Sequence, residues 1–221
     1  MKNLQKKLLF LSIFTLVGFI SLQIPFNKLA GSNVSFTLFD FFGPIAGAFL
    51  GPVYGVSSVL GVEVVNNLIK HTPWTSGSII RLFPTLFAVY YFAVFSKKIA
   101  SGKWVLGIPI LAILAFIIHP VGRSVFYYSF FWIIPLIAYK FRSNLYLRSL
   151  GATFTAHAVG GATWIWTFNL PSSVWKGLIP VVIEERLLFA AGIAISFVLT
   201  QKVLALLASK HVLPKLEVSQ S

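Results

Sequence analysis

Cysteine is absent from this 221-residue chain, and acidic residues are scarce. Without cysteine the protein forms no disulfide, no thiolate metal site and no cysteine nucleophile, which excludes cysteine-dependent membrane transpeptidases and lipoprotein anchoring. Charged residues make up 10% of the chain, whereas an ordinary soluble domain has about 25%. Hydrophobic residues make up 57%. The composition therefore indicates an integral membrane protein.

Apolar stretches repeat along almost the whole sequence. We predict one polytopic membrane domain over residues 1–209 and a polar tail over 210–221. Several apolar segments have about 17 residues, the lower limit for crossing a bilayer, so the competing counts are six and eight crossings. Leu8–Leu22 follows three lysines, which is typical of a signal peptide or a first anchor, and we expect a retained anchor. The predicted fold is an all-α integral membrane protein, a polytopic bundle of six to eight transmembrane helices with short Gly-Pro hairpins.

Basic residues outnumber acidic residues by 18 to 5, and the net charge is +13. In a soluble protein this excess would suggest nucleic acid, but here the bases fall between apolar stretches, where the positive-inside bias and anionic lipid account for them. We expect the lipid bilayer and no nucleic acid as partner, with a multi-pass location in the cell membrane and both termini cytoplasmic. Eight crossings would put four basic groups on the cytoplasmic side: Lys2/Lys6/Lys7, Lys97/Lys98/Lys103, Lys140/Arg142/Arg148 and Lys202/Lys210/Lys215.

A glycine pattern marks the second and third apolar segments. Two consecutive units of the form Gly-Pro-x-x-Gly-x-x-x give Gly43, Gly47, Gly51 and Gly55 a spacing of four residues. This spacing places small residues on one helix face and lets another backbone approach closely. Pro52 has no N–H and clashes with a preceding turn, so it predicts one helix ending near Gly51 and another beginning at Pro52. We predict a tightly packed hairpin of two short helices.

Four of the five acidic residues, Asp40, Glu63, Glu184 and Glu185, lie within or at the edge of apolar segments. A charged side chain at the bilayer centre costs at least about 2.5–3.5 kcal/mol, so such residues usually face a protein interior or a wet cavity. We interpret Asp40 as a solvated or capping residue. Of the adjacent glutamates, at most one faces a cavity squarely, and Glu184 is a candidate. The alternative is that both are favoured by the dipole of a helix that begins nearby.

Glu63, Asn66 and Asn67 have the spacing i, i+3 and i+4, so they share one helix face. They offer a carboxylate and two amides to a polar substrate. The alternative interpretation is an interhelical hydrogen-bond cluster beside Lys70.

A second hairpin is predicted around the breaker His119–Arg123. Arg123 and Tyr127 lie at i and i+4, where a fixed charge and a hydroxyl would bind a carboxylate or phosphate together with His119. The alternative is an arginine that extends to the outer interface. Arg81, early in the fourth apolar segment, has the same two interpretations.

His157 is followed by Gly160, Gly161 and Trp164 at i+3, i+4 and i+7. A histidine, a gap without side chains and an aromatic ring along one face would suit a flat ring stacked on Trp164, with Asn169 nearby. The alternative is a packed, hydrogen-bonded histidine, with the glycines serving helix packing.

The first half of the chain, from about Leu8 to Phe95, resembles the membrane-embedded substrate-capture (S) components of energy-coupling factor vitamin transporters. The residues that carry the resemblance are GPIAGAFLGPVYGVSSVLG and the acidic and amide residues that follow them. The resemblance implies a six-helix bundle that holds one vitamin or related metabolite near the outer face and topples with a shared energising module. Because the chain has no ATP-binding P-loop, the energy would come from a transmembrane coupling protein and ATPase subunits. No cofactor and no metal are expected.

Two other functions compete with substrate capture. An intramembrane hydrolase or protease would use Glu184, Glu185 and His157 as acid, base or metal ligands. The Glu-Glu-x-x-x-Arg pattern of prenyl-protein-processing proteases is broken here by Phe189, and neither His-Glu-x-x-His nor Gly-x-Ser-x-Gly is present. We therefore predict that the protein is not an enzyme. The other alternative is a non-catalytic membrane assembly protein, since glycine ladders also bind partner helices.

Overall fold

The computed structural model describes residues 3–28, 35–97 and 99–215, and helices dominate it. A small antiparallel ribbon joins β1 (Pro25–Lys28) to β2 (Ser35–Thr37). Lys2, Lys98 and residues 216–221 of the predicted tail lie outside the described residues. The helices are α1 (Asn3–Leu22), α2 (Phe39–Phe42), α3 (Ala46–Leu50), α4 (Pro52–Ile69), α5 (Ser76–Ser96), α6 (Gly107–Ile118), α7 (Pro120–Ser124), α8 (Ile134–Lys140), α9 (Leu145–Thr167) and α10 (Ser172–Ser209), with 3-10 turns at Gly43–Ile45, Ala100–Leu106 and Phe126–Ile133.

The predicted break at Gly51 and Pro52 is confirmed. Gly51 has φ 89° and ψ 164°, a backbone conformation that is essentially restricted to glycine. Pro52 is the first residue of α4, where its missing N–H leaves no hydrogen bond unmade. The two helices then meet backbone to backbone, because a Cβ added to Gly55 would lie 2.5 Å from the Cα of Gly47. The same α3–α4 unit contacts α5, and a Cβ on Gly43 would lie 3.3 Å from Cγ2 of Thr85.

Six helices enclose the interior as a closed ring. α1 packs on α4, α4 on α5, α5 on α9, α9 on α10, α10 on α2, and α2 on α1. α5 and α9 share the largest of these interfaces. α6, α8 and the 3-10 turn Phe126–Ile133 pack outside the ring against α9. The ring leaves room for an internal cavity at the end where α1 finishes and α10 starts.

Two predicted features of the second half are corrected by the structure. α10 begins at Ser172 and continues through Pro180, so Glu184 lies twelve residues past its start, more than three turns at about 3.6 residues per turn. The helix-dipole interpretation of Glu184 and Glu185 is therefore wrong, because that effect is confined to the first turn. The second arm of the His119–Arg123 hairpin is not one helix but α7, a 3-10 turn and α8.

Three helices are long and apolar enough to cross a bilayer: Leu4–Leu22, Ser76–Ser96 and Ser172–Ser209. Two shorter apolar helical stretches, Phe39–Leu50 and Gly102–Ile118, lie between them. Large apolar side chains are exposed on the outer surface of these helices, for example Leu16, Leu111 and Leu199, each more than half exposed. Such a surface is suited to lipid.

Candidate ligand-binding cavity

A cavity of about 900 Å³ lies inside the helix ring. Its walls come from the end of α1, from β2 and α2, from the second half of α4, the first half of α5, the second half of α9 and the first half of α10. Tyr128 of the 3-10 turn Phe126–Ile133 also lines it. These segments all lie at one end of the molecule, and the first residue of α1 and the last residue of α10 lie at the other. The volume is within the range of small-molecule sites, about 300–1,000 Å³.

The two intramembrane clusters singled out from the sequence converge on this cavity. Glu63, Asn66 and Asn67 contribute from α4, and Arg81 contributes from α5. On α9, the lining residues are His157, Gly160, Gly161 and Trp164. The glycines also serve packing: a Cβ on Gly161 would lie 2.5 Å from the Trp132 ring, and one on Gly160 would lie 3.5 Å from Cγ of Pro84.

Five predicted site residues lie elsewhere and do not line the cavity. Arg123, Asn169 and Glu184 are exposed, and Tyr127 is 38% exposed. His119 caps α7, where its Nδ1 accepts a hydrogen bond of 3.3 Å from the Val121 N–H. Sequence spacing does not specify how a segment packs, so it could not show that these five residues lie away from the cavity.

On α4, the Glu63 carboxylate has one oxygen buried without a hydrogen-bond partner among the described residues, Oε2. Thr85, Asp40 and Arg81 lie close enough to interact with this carboxylate. Asn66 is engaged differently, since its Oδ1 accepts a 2.9 Å hydrogen bond from Nε2 of Gln23 on the connection after α1. The cluster thus contains a hydrogen bond to the connection after α1 and a carboxylate with one buried oxygen that no described residue satisfies.

Asp40 is the second residue of the short helix α2 and lines the same cavity. Its Oδ2 accepts a 2.8 Å hydrogen bond from the backbone N–H of Thr37, two residues before the helix. The start of α2, whose N-cap residue is Leu38, has no side-chain cap. The bond to Thr37 instead fixes a second carboxylate in the cavity wall near Glu63.

Arg186 on α10 is a cavity residue that the sequence did not indicate. Its Nη1 donates to Oγ1 of Thr153 at 3.2 Å, and its Nη2 donates to Oε2 of Glu185 at 3.4 Å. The guanidinium also lies 4.1 Å from the ring centre of Phe189 and 5.6 Å from that of Phe36. Its Nε has no hydrogen-bond partner in the described part of the chain. The sequence signal that could have indicated Arg186 is its position directly after Glu185 in an apolar helix.

His157 is held by two aromatic side chains. The Trp132 indole Nε1 donates to its Nδ1 at 2.9 Å, and its Nε2 lies 3.1 Å from the Tyr128 hydroxyl oxygen. Because an indole N–H is only a donor, Nδ1 must be unprotonated, and the neutral ring carries its proton on Nε2. Nε2–H therefore donates to Tyr128. The imidazole is a rigid part of the cavity wall.

Of the three residues named for a hydrolase, Glu185 and His157 line the cavity and Glu184 does not. Glu184 is exposed, whereas Glu185 is buried against Arg186 and His157 is engaged by Trp132 and Tyr128. Within residues 3–28, 35–97 and 99–215, no three His, Asp or Glu side chains come together as a metal site requires.

Comparison with known proteins gives one relative with an unassigned role. A protein of Methanocaldococcus jannaschii described as uncharacterized is 27% identical over 204 residues, which covers 83% of this chain and 67% of the relative. No family model matches the chain. No solved structure matches it either. The functional argument therefore rests on the cavity.

Proposed function

We propose that this protein is the membrane-embedded substrate-binding subunit of an uptake system for a small metabolite or vitamin, energised by a partner ATPase module. The observation that carries the proposal is the cavity of about 900 Å³, whose lining includes the charged residues Asp40, Glu63, Lys70, Arg81, Glu185 and Arg186. Ionisable side chains in apolar helices usually face a wet cavity or a partner, so their convergence on one cavity supports a site for a polar ligand.

The proposed subunit spans the bilayer six to eight times. In addition to the three long apolar helices, α4 has 18 residues and α9 has 23, which is about 27 Å and 34 Å of helix at 1.5 Å per residue. α6 and the arm from Phe126 to Lys140 supply two further apolar crossings, and the broken α2–α3 unit supplies a shorter one.

The cavity would open to the outside of the cell. Basic residues concentrate at the opposite end, where α1 begins, α5 ends, α8 meets α9, and α10 ends. The positive-inside bias puts that end in the cytoplasm. The described basic residues there are Lys6, Lys7, Lys97, Lys103, Lys140, Arg142, Lys202 and Lys210.

The cytoplasmic half of the helix ring is packed with aromatic side chains. Phe49 and Phe197 have ring centres 5.3 Å apart, and Phe197 in turn lies 5.6 Å from Phe92. All three are buried. The chain thus provides a binding site without an open route to the cytoplasm. Release would need a transmembrane coupling protein and ATPase subunits.

Purification from the native membrane tests the proposal. We expect the chain to co-purify with an ATPase, a second membrane protein and a tightly held small molecule detectable by mass spectrometry of the denatured sample. Glu63→Ala should lower the amount of retained molecule, whereas Glu184→Ala, which changes an exposed glutamate outside the cavity, should not. A purified complex that holds neither an ATPase nor any metabolite would overturn the proposal.

A further inference from the structure

Acidic and basic side chains are distributed unequally between the two ends of the molecule. Among the described residues, the acidic side chains lie towards the cavity end: Asp40, Glu63 and Glu185 line the cavity, and Glu184 is exposed in the first half of α10. The basic side chains at the opposite end therefore have no carboxylate of the described chain beside them. A surface of this kind attracts an anion from outside the chain. This inference rests on the proposed membrane placement, in which that end faces the cytoplasm.

One of these basic residues, Arg142, is held in a fixed position after α8. Its guanidinium carbon lies 4.5 Å from the ring centre of Tyr139, and its Nη1 donates a 3.2 Å hydrogen bond to the Tyr139 carbonyl oxygen. Phe95, near the end of α5, supports the same tyrosine ring with its own ring centre 5.1 Å away. Because a guanidinium has five N–H groups, most donors of Arg142 are left for a ligand. The planar group also loses little freedom when it binds one.

Arg148 supports Arg142 from inside the protein. Its Nη1 donates to the Arg142 carbonyl oxygen at 3.3 Å, and its guanidinium carbon lies 5.1 Å from the ring centre of Phe92 and 5.6 Å from that of Phe197. Arg148 is 2% exposed, so a ligand does not touch it. It has no ion-pair partner in the described ranges. A buried charge without a counter-charge is unfavourable, and an anion on Arg142 would offset part of that cost.

The turn that carries Arg142 contains further positive charge. Lys140 is the exposed last residue of α8, and Oδ1 of Asn144 accepts a 3.0 Å hydrogen bond from the Leu147 N–H at the start of α9. α9 has 23 residues, and the positive end of its dipole lies in this turn. We name residues 140–144 the basic turn. Its two cationic side chains and the helix N-terminus are groups that bind phosphate.

An apolar surface runs from the cavity end to the basic turn. Its five large side chains are 40–54% exposed and recur every three or four residues. The arm that carries them contains eight residues of 3-10 turn and seven of α8, which is about 26 Å at 2.0 and 1.5 Å per residue. One leaflet of the bilayer core is about 15 Å deep, so this surface is long enough for an acyl chain. We name it the apolar stripe: Phe126, Phe130, Ile133, Ile137 and Phe141.

Aromatic residues mark the level of the lipid headgroups at this end. Trp104, just before α6, is 55% exposed, and its indole Nε1 donates to the Tyr90 hydroxyl at 3.0 Å. Tryptophan and tyrosine are enriched at this level of a bilayer. Phe141 lies between Lys140 and Arg142 in the sequence. The end of the apolar stripe is therefore directly adjacent to the cations.

We propose that the basic turn binds the phosphate of an anionic phospholipid of the cytoplasmic leaflet, with an acyl chain of the same lipid on the apolar stripe. The planar donors of Arg142 suit two phosphate oxygens, and Lys140 adds a second positive charge. The ammonium group of a zwitterionic headgroup would be repelled by these cations, so the site selects a lipid with net negative charge. An acidic segment of a partner protein would use the turn without the stripe.

Native mass spectrometry of the purified full chain tests the proposal. The protein in detergent is titrated with phosphatidylglycerol and with phosphatidylcholine that has identical acyl chains, and the lipid retained on the protein is counted. We expect phosphatidylglycerol to be retained at least about fivefold more strongly, because basic residues attract the anionic headgroup. An excess of glycerol 3-phosphate, which offers phosphate without acyl chains, should not displace it.

Variants separate the turn from the stripe. Arg142→Gln should weaken the retention of phosphatidylglycerol about 3- to 10-fold and leave that of phosphatidylcholine nearly unchanged. Lys140→Gln, at an exposed position, provides the same test if Arg142→Gln does not fold. Phe141→Ser should weaken both lipids alike, because it removes apolar contact. The matched controls, expected to change neither lipid, are Lys210→Gln at the same end of the molecule and Arg123→Gln at the other.

Equal retention of the two lipids would overturn the proposal. So would a loss with Lys210→Gln as large as that with Arg142→Gln, because it would show general attraction to this end instead of one site. Displacement by glycerol 3-phosphate would assign the turn to free phosphate, and displacement by a polyglutamate peptide would assign it to an acidic protein segment. All of these results leave the proposed uptake function standing. That function fails separately, when native membranes yield neither a metabolite nor an ATPase with the chain.

Discussion

Trp132 donates its indole N–H to Nδ1 of His157 across 2.9 Å, and this bond decides which histidine nitrogen carries the proton. We expect nitrogen NMR of histidine-labelled protein to show a signal from a locked Nε2–H tautomer that His157→Gln removes. Trp132→Phe should release the ring, so that both tautomers become populated. Trp166→Phe should leave the signal in place, because Trp166 contacts His119 instead. A signal from the Nδ1–H tautomer in the unsubstituted protein would contradict the bond.

The Gly47–Gly55 contact predicts a large difference between two alanine substitutions in α4. Gly55→Ala should lower the free energy of unfolding by about 1–3 kcal/mol, because its Cβ would lie 2.5 Å from a backbone atom that cannot move aside. Gly61→Ala should be neutral or stabilise by up to about 1 kcal/mol, since no atom lies within 4 Å and alanine favours the helix. Thermal unfolding in detergent measures both. Equal melting temperatures for the two variants would show that α3 and α4 do not meet as described.

The buried pair Glu185–Arg186 predicts a non-additive effect on stability. Both side chains are 9% exposed, so Arg186→Met should cost about 3–5 kcal/mol by stranding the carboxylate. The double variant Glu185→Gln/Arg186→Met should recover part of that loss, because no buried charge is then left alone. Chemical or thermal unfolding of Glu185→Gln, Arg186→Met and the double variant gives the coupling free energy between the two side chains. A double variant less stable than Arg186→Met would refute the predicted recovery.

The proposed orientation predicts opposite labelling of two exposed serines. Because the chain has no cysteine, Ser173→Cys, at the cavity end of α10, and Ser143→Cys, between α8 and α9, each introduce a single thiol. A membrane-impermeant maleimide added to intact cells should label the Ser173→Cys variant alone, and permeabilised cells should be labelled in both variants. The reverse pattern on intact cells would show that the cavity opens to the cytoplasm.

Local stereochemistry made part of this fold predictable. Gly51 and Pro52 specify a break wherever they occur, because their backbone restrictions do not depend on the rest of the molecule. The placement of Glu63 and His157 at one cavity also followed a general constraint, since polar side chains in apolar helices must turn inward. Both inferences use properties of a single segment.

The contribution of Tyr128 and Trp175 to the cavity could not be predicted in the same way. Both are ordinary interfacial aromatic residues in the sequence, and only the packing of the 3-10 turn Phe126–Ile133 and of α10 shows that they line the cavity. The sequence reading also divided α10 near Pro180, although a proline inside a membrane helix is tolerated where neighbouring helices satisfy the freed carbonyl. Because of that division, Glu184 was expected near the start of a helix, whereas it lies more than three turns into α10.

The aromatic cluster of Phe49, Phe197 and Phe92 fills the half of the helix ring away from the cavity. For the proposed import function, a molecule would therefore enter and leave the cavity by one mouth, and binding strength alone would not set the direction of flow. The proposed partner subunits would then have to move that mouth from one side of the bilayer to the other.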